Sequence, residues 1–94
     1  MGLPFEWHQE KSDRNLRKHG VAFAEATSVF ADPLSLTIGD PLHSESEERL
    51  AIIGESERRR LLVVVHTERG DRIRLISARL ATPRERKTYE EGHQ

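Results

Sequence analysis

The 94-residue chain has no cysteine, which excludes a disulfide framework and any thiolate zinc site. It also lacks an apolar run near the roughly 20 residues a membrane-spanning helix needs; the longest is Leu61–Val65. Met1–Glu10 carries Glu6, His8 and Glu10 where a secretory signal would show a basic start and an apolar stretch. Four Pro and six Gly exclude a collagen-like or low-complexity chain. Aromatic residues make up 5% and hydrophobic residues 35%, whereas charged residues reach 33%, above the usual quarter or so. The core must therefore be thin and the surface densely charged. The expectation is one compact domain over residues 1–94, soluble and cytoplasmic, with no membrane contact.

Several catalytic signatures are missing as well. The histidines at 8, 19, 43, 66 and 93 show no ligand spacing, and no HExxH or HxH occurs. Glu85-Arg86-Lys87 fits the E-x-K of many magnesium nucleases, but it falls on a helix rather than on a strand beside an aspartate. GxSxG, P-loop and GxGxxG motifs are absent, so acyl transfer and nucleotide hydrolysis have no support. Neither a metal nor a cofactor is expected.

What the chain does have is charge divided by position. The net charge is −1, yet residues 1–57 hold five Lys/Arg against eleven Asp/Glu, and residues 58–87 hold ten against three. A local field rather than the total recruits a polyanion. The plain alternative is a solvated arginine-rich surface balanced by acidic neighbours.

Periodicity predicts an α+β domain. Phe5-Glu6-Trp7 alternates like a short strand. Gln9–Lys18 reads as a helix closed by Gly20, and Ala22–Phe30 as a second one stopped by Asp32-Pro33, together an αα-hairpin. The pattern then changes to strands at Leu34–Ile38, Arg49–Gly54, Arg60–Thr67 and Arg72–Leu80, with a polar loop over Pro41–Glu47. Short turns between them describe an antiparallel meander. Thr82-Pro83-Arg84-Glu85 is a capping box with proline at N1, opening a last helix to about Glu91. The order βααββββα places the helices against an antiparallel sheet.

The candidate chemistry lies with arginines on strands. Strict alternation puts Arg72 and Arg74 on one face and Arg79 on the other, unless a bulge intervenes. Such an arginine is either a scaffold residue bonded to a carboxylate or a clamp on phosphate. Metal-free RNA cleavage needs a base for the 2′-hydroxyl, a cation at the phosphorane and an acid for the leaving 5′-oxygen. Lys18, His19, His43, His66, Glu68 and Tyr89 are the groups able to move a proton. His66 on a strand also suits neutral packing, and Trp7 and Phe5 suit either the core or a stacked base.

Taken together, Phe5-Glu-Trp7, Asn15, Lys18-His-Gly-Val21, Phe23-Ala-Glu-Ala26, Val29-Phe30, Asp40 with His43-Ser44, Glu48-Arg49, Gly54, Leu62–Arg69, Arg72–Arg79 and the ending Arg84-Glu85 with Tyr89-Glu90 resemble the BrnT toxins. The joint markers are KHGV-x-F-x-EA and RIRxISAR, and the likeness spans nearly the whole chain. It implies a RelE-like fold and a ribonuclease toxin of a bacterial type II toxin–antitoxin system that inhibits translation. It further implies metal-independent RNA cleavage and a cognate BrnA-type antitoxin, with operator DNA met only through that antitoxin. Two positions depart from the family pattern: His8 stands where Asp is usual, and Ala22 where Ser is common. Each missing cap costs on the order of 1 kcal/mol.

By analogy with RelE-like toxins, Arg79 is expected on the transition-state phosphate, Arg69 and Arg74 on flanking phosphates, and Lys18 or His19 at the proton transfer. Arg72, His66, Tyr89 and Trp7 are expected to contact RNA. A non-catalytic module that binds antitoxin or RNA, a degenerate toxin, is the alternative; salt-sensitive RNA binding without product would mark it.

Overall fold

The computed structural model describes residues 4–39 and 49–92. The loop expected over Pro41–Glu47, with its His43, lies outside the described residues, as does His93.

The elements follow in the order β1 (Phe5–Glu6), α1 (Gln9–His19), α2 (Phe23–Thr27), β2 (Leu36–Gly39), β3 (Leu50–Glu55), β4 (Leu61–Arg69), β5 (Arg72–Leu80) and α3 (Pro83–Glu91). They build a five-stranded sheet ordered β1-β5-β4-β3-β2. The four later strands pair antiparallel, but β1 runs parallel to β5, with Phe5 opposite Ile73 and Glu6 opposite Arg74. The sheet is thus mixed rather than wholly antiparallel. A parallel pair needs a long crossover, and here α1, α2 and strands β2–β4 lie between its two strands. The second helix is also shorter than its apolar spacing predicts: α2 ends at Thr27 and a 3₁₀ turn covers Ser28–Ala31.

Each helix start reflects its local chemistry. His8 supplies no side-chain cap to α1. Ala22 supplies none to α2 either, and the Phe23 N–H donates instead to the Ser12 hydroxyl on α1 at 3.1 Å. The buried end of one helix is thereby capped by its neighbour. Gly20, at φ 73°, closes α1 in the left-handed conformation that glycine adopts without strain. At α3 the Thr82–Glu85 capping box is complete.

The two sheet faces carry separate cores. On one, Val21, Phe23, Ala26 and Val29 of the hairpin region pack on Ile52, Leu62, Val64, Leu75 and Ala78. Burying a side chain the size of Phe23 or Leu62 stabilises by about 1.5–3 kcal/mol. On the other face Ala51, Ile53, Leu61 and Val63 meet Ala81 and Tyr89. The Tyr89 hydroxyl donates to Asp32 Oδ2 at 2.7 Å, fastening α3 beside the sheet. Among the described residues no helix is long and apolar enough to cross a membrane.

Leu75 and Ala78 both face the hairpin core, which strict alternation forbids. The register explains it: Val65 pairs with Ser77 and His66 with Leu75, leaving Ile76 as an extra residue in β5. This bulge reverses side-chain parity. Arg79 therefore shares the outer face with Arg72 and Arg74 instead of opposing them.

Candidate functional site

The α1 helix lies across the open edge of β5 and is pinned there by one amide. Asn15 Nδ2 donates to the carbonyls of Val21 at 2.7 Å and Ala78 at 2.8 Å, and its Oδ1 accepts from the Ala78 N–H at 3.1 Å. The side chain thus replaces a neighbouring strand beyond the end of short β1. Between helix and strand runs a groove of about 250 Å³, lined by Lys11, Arg14, Asn15, Lys18, His19, Ile76 and Ser77.

Lys11, Arg14 and Lys18 recur at the spacing of one helical face. None of the three forms an ion pair among the described residues. His19 stands at the same end as Lys18, in the last turn of α1. The strand wall is the bulge itself, Ile76 and Ser77. Around that edge, on the outer face, Arg74 and Arg79 flank Ser77 in sequence.

Both outer arginines are held by carboxylates. Arg79 makes a fork with Glu85, Nη1 to Oε1 at 2.7 Å and Nη2 to Oε2 at 2.9 Å. Glu85 Oε1 also accepts the Thr82 N–H at 2.9 Å, so one carboxylate serves the helix cap and the arginine together. The Arg79 bonds hold the Glu85 carboxyl at about 2, against some opposition from burial, and Glu85 in turn raises the Arg79 guanidinium. Arg79 keeps 40% of its side chain exposed, leaving Nε–H outside the fork. Arg74 Nη1 donates to Glu6 Oε2 at 3.0 Å across the parallel pair.

The remaining expected site residues separate. Arg69 and Arg72 pair with each other at the β4–β5 hairpin. Arg79 pairs with Val63, six residues from Arg69 along β4, about 20 Å at the rise of an extended strand. Arg69 is thus remote from Arg79 and Lys18, because antiparallel register sends the two ends of β5 apart. His66 is 2% exposed and stacks edge-on with Phe30, ring centroids 4.8 Å apart. Burial pushes its imidazole down, against a backbone bond to Val64, so His66 is a neutral packing residue rather than an RNA contact. Trp7 is half-buried, packs against the core and stands at a right angle to Phe23, ring centroids 6.2 Å apart. Burial, then the Asp32 bond, push the Tyr89 phenol up to about 12, which removes it as a base near neutral pH.

Lys11 and Arg14 were missed by counting charge along the chain. They sit within the acidic half, yet the 11, 14, 18 spacing already places three of its five cations on one helical face. Among the described residues no three His, Asp or Glu side chains gather as metal ligands do.

Fold and groove together define a small α+β domain with exposed cations along a helix–strand edge. A family model described as the ribonuclease toxin, BrnT, of type II toxin–antitoxin systems matches residues 7–85, and the chain belongs to that family. A crystal structure of the Brucella abortus ribonuclease toxin, BrnT, shares its fold with a TM-score of 0.67 at 23% identity, covering 85% of this chain and 97% of that one. Among curated proteins none matches the chain.

Proposed function

We propose that this chain is an endoribonuclease toxin that cuts RNA without a metal ion, and that a protein antitoxin of the BrnA type holds it inactive. The observation that carries this reading is the groove: three helix cations without an ion pair among the described residues, and an imidazole, beside a strand edge that bears Arg74 and Arg79. An RNA strand laid in it meets positive charge along its phosphates.

In the proposed reaction the 2′-oxygen attacks the adjacent phosphorus and the bond to the 5′-oxygen breaks. The 2′-hydroxyl proton passes to a base and another proton goes to the leaving oxygen, giving a 2′,3′-cyclic phosphate and a 5′-hydroxyl. Lys18 and His19 share the proton transfers, an imidazole being suited to either role. Arg79 faces the phosphorane through the N–H groups outside its Glu85 fork, and Arg74 a flanking phosphate. Arg69 and Arg72 are too far along the sheet for the chemical step and serve only RNA extending past the hairpin. Translation stops because the RNA is cut, and operator DNA is met only through the antitoxin. Kinship with RelE-type toxins belongs to the same reading.

The test is incubation of antitoxin-free protein with end-labelled naked RNA in excess EDTA, beside Arg79→Ala and Lys18→Ala. Wild type is expected to yield fragments ending in cyclic phosphate. Arg79→Ala is expected to yield none while its Tm stays within a few degrees, since the Thr82–Glu85 cap persists without it. Intact RNA with folded wild type refutes the reading. A second reading, a module that grips RNA or antitoxin without cutting, draws on the carboxylate partners of Arg74 and Arg79; bound but uncut RNA would support it.

A further inference from the structure

The turn between β3 and β4 carries Arg58, Arg59 and Arg60, and their three positions differ in kind. Arg60 is committed to structure. Its Nε donates to Glu25 Oε2 at 2.9 Å and its Nη2 bonds Glu25 Oε1 and the Gly20 carbonyl, the latter at 3.1 Å. Ser56 Oγ donates to the same carboxylate at 2.7 Å. The Arg60 bonds, ahead of the opposing burial, hold the Glu25 carboxyl below the usual carboxylate range. These bonds clamp the turn against Gly20, the residue that closes α1 directly after Lys18 and His19.

Arg58 and Arg59 are left outward. The Arg58 side chain is 71% exposed, and its guanidinium reaches only to 4.0 Å from a Glu25 already occupied by Arg60. Arg59 is exposed, forms no ion pair among the described residues, and has φ 62°. Glycine or asparagine adopts that conformation readily, and an arginine adopts it with strain. Strained backbone of this kind gathers where a side chain is needed for binding. The same end of the sheet holds the end of β5, since the Ala81 N–H bonds the Leu61 carbonyl at 2.9 Å. Lys18, His19, Arg79 and the turn therefore converge on one end of the molecule.

We propose that Arg58 and Arg59 continue the RNA track beyond the end of α1, contacting phosphates that flank the cleaved bond. This rests on the reading of the groove as an RNA site. An acidic protein fits the turn less well: interfaces with proteins have an apolar centre, and residues 55–60 are Glu, Ser, Glu, Arg, Arg and Arg. Glu55 and Glu57 are both exposed in this stretch; the charge of Glu55 acts on Tyr89, on the α3 side of the sheet, and Arg58 and Arg59 outweigh Glu57.

The test uses the full chain and a single-stranded 2′-O-methyl RNA, which cannot be cut by 2′-oxygen attack. Affinity is measured against salt for wild type, Arg59→Gly, Arg58→Gln/Arg59→Gly and Arg14→Gln. Each lost phosphate contact lowers the slope of log K against log salt by about 0.7 on a single strand. The single turn variant is expected to lose about 0.7 and the double about 1.4, while the Tm of Arg59→Gly holds or rises as strain is relieved. An unchanged slope in the turn variants overturns the proposal, and a lower slope in Arg14→Gln at the same time shows that the groove reading survives. A falling Tm in Arg59→Gly also overturns it, by making the arginine a scaffold residue. Wild type that binds no RNA, or an Arg14→Gln slope equal to wild type, instead removes the groove reading itself.

Discussion

Replacing Asn15 by alanine tests how the groove is held open. The amide satisfies three backbone groups, the carbonyls of Val21 and Ala78 and the Ala78 N–H, and Asn15 is buried. A buried hydrogen bond contributes about 1 kcal/mol net, and an orphaned polar group costs about 1–3 kcal/mol. Water entering from the groove relieves part of that, so the loss is set near the lower bound, about 3 kcal/mol for three groups. A chain of this length has about 5–14 kcal/mol of stability in all, and each 1 kcal/mol moves Tm by about 4–8 °C in a domain this small. Asn15→Ala is therefore expected to melt about 12–24 °C lower. Urea unfolding followed by far-UV circular dichroism would show a lower midpoint at unchanged slope. Asn15→Asp should be at least as harmful, since it sets a carboxylate against two carbonyls. Below the melting range, RNA cleavage should fall about 10²-fold as α1 loses its fixed distance from the bulge. A loss under about 1 kcal/mol would refute the reasoning, because the orphaned groups would then have found other partners.

Three further outcomes follow from the geometry. Gly54→Ala would bring a Cβ to 2.8 Å from Val29 Cγ1 and 3.1 Å from Ser35 Cβ, an overpacking expected to cost about 1–3 kcal/mol by denaturant titration. His66 is held below its ordinary value by burial, so its unfolded form binds the proton first. Its contribution is complete above about pH 6.5 and is lost as pH falls through the folded value; His66→Gln should flatten that limb in urea titrations across pH 4–7. Glu85 stands at about 2 when folded, against an ordinary value of 4.5, so its contribution is present above pH 4.5 and is lost as pH falls toward 2. Glu85→Gln should reduce acid sensitivity in that window, and equal sensitivity in both proteins would mean that the Arg79 fork adds nothing in solution.

Much of this architecture was legible because it is written in local patterns. The left-handed Gly20, the Thr82–Glu85 capping box and the alternation of the strands depend on residues a few positions apart. What escaped depends on distant partners or on the backbone alone. Nothing in Phe5-Glu6 announces pairing with a strand more than sixty residues later, and Leu75-Ile76-Ser77 contains no glycine to mark a bulge. Counting charge by halves hid Lys11 and Arg14, which become a surface only when the helix turns them to one side. The family likeness pointed to Arg79 and Lys18, but only the fold separates Arg69 from them and withdraws His66 into packing.

The bulge at Ile76 also decides how the length of β5 can change. With Ile76 present, Leu75 and Ala78 stand three apart and both face the hairpin core; deleting it would leave them two apart, the spacing of one face in a regular strand. Such a deletion would keep Arg72, Arg74 and Arg79 outside, and would cost only the local bend and one wall residue of the groove. A further deletion in the regular strand that results would reverse the whole row of side chains on one side of it. A lineage carrying this strand can thus shed one residue at Ile76 and no second one, and length variation within β5 should accordingly be confined to that position.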